Sequence, residues 1–236
     1  MKINSFSIGS TPNHNEDCVA HANMGINGYA VVMADGMGGL PHGEIASKIA
    51  CTTIISRIQA NYKDFHSEFK ILKEALEEAD RKIYSMGLRK YKCQMGTTIA
   101  AAIVTDYMIF YTWQGNVRIY HKHNGELKLL TTDHTLDIGY GQQRITRCLK
   151  GTGLRHDVPF CSVKLSGGDS LFFCTDGFYS DNEHLLIKGT NYSSIKNGIK
   201  NPTDDSSLTE IDFSLSISVL KTAVFVTFSM NSCKSQ

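Results

Sequence analysis

Four places in this sequence put a carboxylate where the chain changes character. Asp35 ends the apolar run NGYAVVMA (residues 27–34) and opens Asp35-Gly36-Met37-Gly38-Gly39. Asp176 closes SLFFCT just before Gly177, and Asp204 stands in Pro202-Thr203-Asp204-Asp205 ahead of SLTEIDF. The pair Glu16-Asp17 follows the polar turn Asn13-His14-Asn15. A single aspartate before a glycine reads as a turn residue that caps a neighbouring N–H. Four such sites read differently, because strand ends converge on one edge of a sheet and clustered carboxylates stay ionised together only when a cation offsets their repulsion. Hard divalent ions with oxygen ligands suit that cluster. The missing side chains at Gly36, Gly38 and Gly39 would let backbone approach such an ion.

The elements that must carry these groups follow from hydrophobic spacing. The β-branched run before Asp35 predicts a strand that stops at the glycines. From Gly43 to Tyr62, Ala46, Ile49, Ala50, Ile54 and Ile58 recur at helical steps with no internal Gly or Pro. A second helix is predicted from Phe65, Phe69, Leu72, Leu76, Ala79, Ile83 and Met86, with Gly87 as its stop. After Gly96 the texture changes to short strands at 97–104, 107–113, 116–122 and 126–132, with Asn124-Gly125 as a hairpin turn. Further strands are expected at 161–165, 170–175, 208–214 and within 215–228, and residues 133–160 read as loop-rich. No repeat or linker divides the chain, so one α+β layered domain over 1–236 is expected, with 215–236 as a C-terminal extension.

Composition narrows the partners. Lys and Arg number 24 against 23 Asp and Glu, a net charge of +1 that gives no electrostatic footprint for nucleic acid or an anionic membrane. The seven cysteines are odd in number and scattered, without a C-x-x-C pair, so reduced thiols are expected rather than a disulfide framework or a thiolate zinc site. The N-terminus turns polar within about ten residues and lacks the apolar core of a secretory signal, which points to the cytoplasm. Leu215 to Met230 is shorter than the ~20 residues that cross a bilayer and is interrupted by Lys221, so it reads as β structure.

In order along the chain, these residues resemble the metal-dependent protein phosphatases of type 2C, in a bacterial-like single-domain form. Asn15-Glu16-Asp17 resembles the first acidic motif of that family. Asp35-Gly36-Met37-Gly38-Gly39 with Gly43-Glu44-Ile45-Ala46-Ser47 resembles its most specific signature. Gly96-Thr97-Thr98, Gly115-Asn116-Val117-Arg118, Thr132-Asp133-His134-Thr135, Ile145-Thr146-Arg147, Thr175-Asp176-Gly177 and Asp204-Asp205-Ser206-Ser207 then follow in order. The resemblance implies a four-layer αββα sandwich with two central antiparallel sheets, and two Mn²⁺ or Mg²⁺ ions at one end. It implies that Asp35 bridges the ions, that Asp176 and Asp204 complete the first, and that Glu16 and the Gly36 carbonyl hold the second. The activity implied is hydrolysis of phosphoserine and phosphothreonine on protein substrates by water activated between the ions.

Several positions depart from the pattern. Pro12 stands where the family usually has a phosphate-gripping arginine, which leaves His14, Arg118, Arg144 or Arg147 as replacements. Asn116 and Ser180 replace two acidic residues associated with a third ion, so a third metal site is expected to be absent or weak. The segment between His134 and Arg144 is short, and Gly139 and Gly141 within it predict a truncated, mobile flap. Met37 occupies a position where relatives carry a histidine, and His42 lies nearby. Glu44 and Ser47 read as helix-start and packing residues. These departures motivate a second reading, a module that binds metal or phosphorylated partners without turnover. The glycine stretch fits neither a dinucleotide fingerprint nor a lysine-containing phosphate loop.

Overall fold

The computed structural model describes residues 1–25, 28–62, 67–155 and 157–214. Asn27, Phe65, Cys233 and the strand and extension expected within 215–236 lie outside the described residues. One antiparallel sheet contains β1 (Lys2–Ile8), β12 (Ser206–Asp212), β11 (Ser170–Cys174), β6 (Arg118–His123) and β7 (Glu126–Leu129), in that order. The other contains β10 (Phe160–Lys164), β5 (Met108–Gln114), β4 (Thr97–Val104), β3 (Tyr29–Gly36) and β2 (Asp17–Asn23). Helices α1 (Gly43–Asn61) and α2 (Glu68–Met86) pack over the second sheet, and α3 (Asp176–Lys188) and α4 (Tyr192–Gly198) over the first.

Side-chain alternation builds the layers. In β3, Ala30, Val32 and Ala34 face the α1–α2 helices, while Val31 and Met33 face the opposite sheet. In β4, Ile99, Ala101 and Ile103 take the helix side, and Ala100, Ala102 and Val104 the sheet side. Both strands are therefore apolar on both faces and read as continuous hydrophobic runs. In β11, Leu171 and Phe173 join the inter-sheet core and Phe172 and Cys174 pack beneath α3 and α4. Each fully buried Leu, Ile, Met or Phe contributes about 1.5–3 kcal/mol. That sum is what lets the sheet edge tolerate a group of mutually repelling acids. The expected αββα sandwich is the fold observed.

Differences from expectation are local. Gly87 does not stop the second helix: the backbone runs on through a π-helical turn, Gly87–Tyr91, and Lys92 with φ 56° ends it. Gly87 is instead a close-approach residue, since a Cβ there would lie 2.6 Å from the Cys93 carbonyl oxygen. The stretch read as loop-rich contains a hairpin, β8 (Thr135–Gly139) with β9 (Gln142–Ile145), where the flap was expected. Its turn is made by Gly139, Tyr140 and Gly141, all at positive φ. Strands β1 and β2 and helices α3 and α4 were not foreseen. The two strands are sheet edges with mostly half-exposed side chains, and α3 buries only Gly177, Phe178 and Leu186, so neither shows a strong apolar period.

Candidate metal centre

Antiparallel pairing brings the acids together. Asp17 at the start of β2 lies opposite Asp35 at the end of β3. The end of β11 pairs with the start of β12, so Asp176 and the Asp204-Asp205 pair arrive at the same edge of the neighbouring sheet. Glu16, Asp35, Gly36, Asp176 and Asp204 all line one open cavity of about 910 Å³.

Glycines set the close approach. A Cβ on Gly43 would sit 2.7 Å from Glu16 Oε1, and one on Gly36 would run into the Gly43 backbone. The start of α1 can thus touch the end of β3 while leaving room for the Glu16 carboxylate. Gly36 N–H donates to the Glu16 carbonyl at 3.0 Å, tying the two ligand candidates through backbone.

Burial pushes the Asp35 carboxyl well above its ordinary range, reinforced by Asp17, Asp176 and Asp204. Asp176 is raised by burial and by Asp204, against hydrogen bonds from Asn116 and Gly177. Glu16 is raised by burial, with His14 opposing and Glu44, Asp205 and Asp204 adding to the rise. Asp17 is raised well above its usual value by burial, despite bonds from Ser207 (2.7 Å) and Thr175 (2.8 Å). Its Oδ1 is buried without a partner, as is Asn116 Oδ1. Among the described residues, no lysine or arginine pairs with Asp35, Asp176 or Asp204. Clustered, desolvated, oxygen-only donors without a protein cation are the donor set that fits hard divalent ions.

Several supporting groups escaped the sequence reading. Asp205 accepts from Ser10 N (2.7 Å), Ser10 Oγ (2.9 Å) and Glu16 N (2.5 Å), anchoring the loop that carries Glu16. Asn116 Nδ2 donates to Asp176 Oδ2 at 2.8 Å, so the residue expected to weaken a third site also orients a neighbouring carboxylate. Asp80 on α2 accepts from the N–H groups of Lys150, Gly151 and Gly153 at 2.7–2.9 Å, fixing the loop that brings Lys150 to the cavity. A buried aspartate in a helix was the available signal for that anchor, but its partners lie about seventy residues away.

The phosphate-binding candidates separate. Arg118 lines the cavity, but its Nε and Nη2 donate to Asp133, its Nη1 to Glu183 at 3.3 Å, and its guanidinium stacks 3.7 Å over Tyr179. Arg118 thus lines the cavity while its guanidinium is tied to Asp133, Glu183 and Tyr179. Arg147 is bound to Asp157 at 2.5 Å. His14 lies outside the cavity lining, with Nε2 4.0 Å from Glu16 Oε1. Arg144 on β9 lines the cavity, is exposed, and has no ion pair among the described residues. His42, at φ 61°, precedes the first turn of α1 without a side-chain capping bond, with its Nδ1 3.6 Å from Glu44 and its ring against Tyr91, while Ser47 Oγ bonds the Glu44 carbonyl.

Comparison with known proteins gives the fold and the family. A putative protein phosphatase 2C-type from Streptococcus pyogenes is 30% identical over 138 residues, covering 58% of this chain and 56% of its own. The chain spans about half the length of curated relatives of this kind. A bacterial serine phosphatase of known structure superposes with a TM-score of 0.77 at 21% identity, covering 92% of this chain and all of its own. The catalytic domain of the serine threonine protein phosphatase PstP, solved in complex with two manganese ions, gives 0.71 at 21% identity over 91% of this chain and 98% of its own. Both likenesses establish the shared fold. The family model for protein phosphatase 2C matches residues 10–208, a stretch that holds every acidic residue of the cavity, and the chain belongs to that family.

Proposed function

We propose that this protein is a metal-dependent phosphatase acting on phosphoserine and phosphothreonine in proteins. The observation that carries the reading is the convergence on one open cavity of Asp35, Asp176, Asp204 and Glu16, none of them paired with a lysine or arginine among the described residues. Asp35, Asp176, Asp204, Glu16 and the Gly36 carbonyl would hold two Mn²⁺ or Mg²⁺ ions. When bound, such ions ease deprotonation of a water for attack on phosphorus and offset charge on the phosphoryl oxygens.

The chain's own residues do the positioning. Asn116 holds Asp176 by its 2.8 Å bond, and is steadied by the Tyr179 hydroxyl, which donates to the Asn116 carbonyl at 3.2 Å. Asp205 fixes the Glu16 backbone. Arg144 and Lys150 supply cationic groups at the cavity wall. The open cavity suits an extended phosphorylated segment rather than a small enclosed ligand.

Mn²⁺-dependent hydrolysis of p-nitrophenyl phosphate and of a phosphothreonine peptide tests the reading. Turnover that is abolished in Asp35→Asn supports it. Absence of turnover in wild-type protein at high substrate and saturating Mn²⁺ contradicts it, and favours a binding module.

A further inference from the structure

A second group of ligating side chains lies at the other end of the same sheet. Asp169 precedes β11 and Asp176 follows it, so the two carboxylates stand ~20 Å apart along an extended strand. His121 and His123 alternate along β6 onto one face, and β6 pairs with β11. His121 Nε2 lies 2.8 Å from Asp169 Oδ2, and His123 Nδ1 lies 2.7 Å from Asp169 Oδ1. One ligating atom from each of the three falls within 4.8 Å of the others. Asp169 is 2% exposed and His121 8%, whereas the His123 side chain is 51% exposed and leaves a way in from solvent.

We propose that His121, His123 and Asp169 form a binding site for a divalent transition-metal ion of the zinc type, separate from the carboxylate centre. Two imidazoles and one carboxylate are a ligand set that zinc accepts with water in the fourth position. The imidazoles select against magnesium and calcium, which favour oxygen. Two outer groups lie beside the trio. Ser166 N–H donates to Asp169 Oδ2 at 2.9 Å, and the Asn124 amide lies 3.0 Å from His123 Nε2. Rotation of that amide by half a turn presents its oxygen to the Nε2–H of a His123 bound through Nδ1. Burial raises the Asp169 carboxyl, but bonds from His123, His121 and Ser166 outweigh it and hold the group below the usual range, so an anion is ready for a cation. Tetrahedral ligands at about 2.0–2.1 Å from zinc sit roughly 3.3 Å from one another, so each histidine nitrogen must draw back about half an ångström from its Asp169 oxygen. Rotation of the exposed His123 ring supplies its part of that shift. A bound ion would staple the β6–β7 hairpin to the turn that enters β11.

The test uses chelator-stripped full chain in the Asp35→Asn background, where the carboxylate centre is crippled. Zinc is titrated against a chromophoric indicator, with and without the added change His123→Ala. One zinc per chain is expected in Asp35→Asn, with affinity falling at least about 100-fold when His123→Ala is added, beyond the loss typical of removing an outer partner. In wild-type protein the ring nitrogen signals of His121 and His123 are expected to shift with zinc. The single variant His123→Ala, altered at an exposed site, is expected to keep its circular dichroism and its Mn²⁺-dependent hydrolysis, so loss of zinc is not loss of fold. Equal zinc affinity with and without His123, or zinc lost with Asp35→Asn alone, overturns the proposal while leaving the phosphatase reading untouched.

Discussion

Strand β11 ends in two aspartates with opposite fates. At its start, Asp169 is almost wholly buried, yet two imidazoles and a backbone N–H hold its carboxyl below the ordinary range. Just past its end, Asp176 is pushed up by burial and by the charge of Asp204. Burial raises both carboxyls, and the groups beside each decide how far that rise is opposed. At one end imidazoles that can also ligate a metal hold the carboxylate ionised, whereas at the other the clustered carboxylates depend on added cations to stay ionised together.

The comparison is broken most severely by Asp35→Asn. With Mn²⁺, kcat/KM is expected to fall by about 10³-fold or more, near 4 kcal/mol of transition-state stabilisation. In metal-free protein the same change is expected to raise Tm by about 2–4 °C for each kcal/mol of repulsion relieved. A lower metal-free Tm would show that Asp35 is not under like-charge strain. Next in size is Arg144→Ala, for which KM on p-nitrophenyl phosphate is expected to rise about 10-fold or more with kcat little changed, the scale of one charged hydrogen bond. Arg118→Ala should instead lower Tm, because its partners Asp133 and Glu183 lose their counter-charge. At the other end of β11, Asp169→Asn is expected to destabilise by about 1–3 kcal/mol in urea, since buried donors lose a charged acceptor, without the activity loss of Asp35→Asn.

The smallest effect separates the two ends by pH. Asp35 and Asp17 have folded values raised above the ~3.9 of an unfolded aspartate, so their contribution is present below that value and is lost as pH rises through the raised ones. Asp169 has a lowered value, so its contribution is present above ~3.9 and is lost as pH falls through the lower one. Metal-free Tm is therefore expected to decline from about pH 4 towards neutrality, less steeply in Asp35→Asn, and Mn²⁺ should raise Tm more at pH 7 than at pH 5. A Tm that climbs over that interval without metal contradicts the raised carboxyls.

The sequence made the acidic end legible because each ligand candidate sits where a strand stops at a glycine or a polar turn, and that punctuation is local. Asp35, Asp176 and Asp204 could be placed at one edge by strand logic alone, and the family resemblance supplied their partners. The four layers were readable where strands are buried on both faces, as in β3 and β4, and not where half-exposed edge strands such as β1 and β2 carry little apolar pattern. Helix α3 was hidden because Asp176-Gly177 reads as a turn, although Gly189 at φ 73° marks its end as such a glycine commonly does. Long-range groups were out of reach: Asp205 with Glu16, Asp80 with the Lys150 loop and Arg118 with Asp133 are pairings that only the folded chain creates.

The most direct test of the carboxylate centre is anomalous diffraction from crystals soaked in Mn²⁺. Two peaks are expected within ligand distance of Asp35, one shared with Asp176 and Asp204 and the other with Glu16 and the Gly36 carbonyl. Well-ordered crystals with no peak beside Asp35 at saturating Mn²⁺ would contradict it.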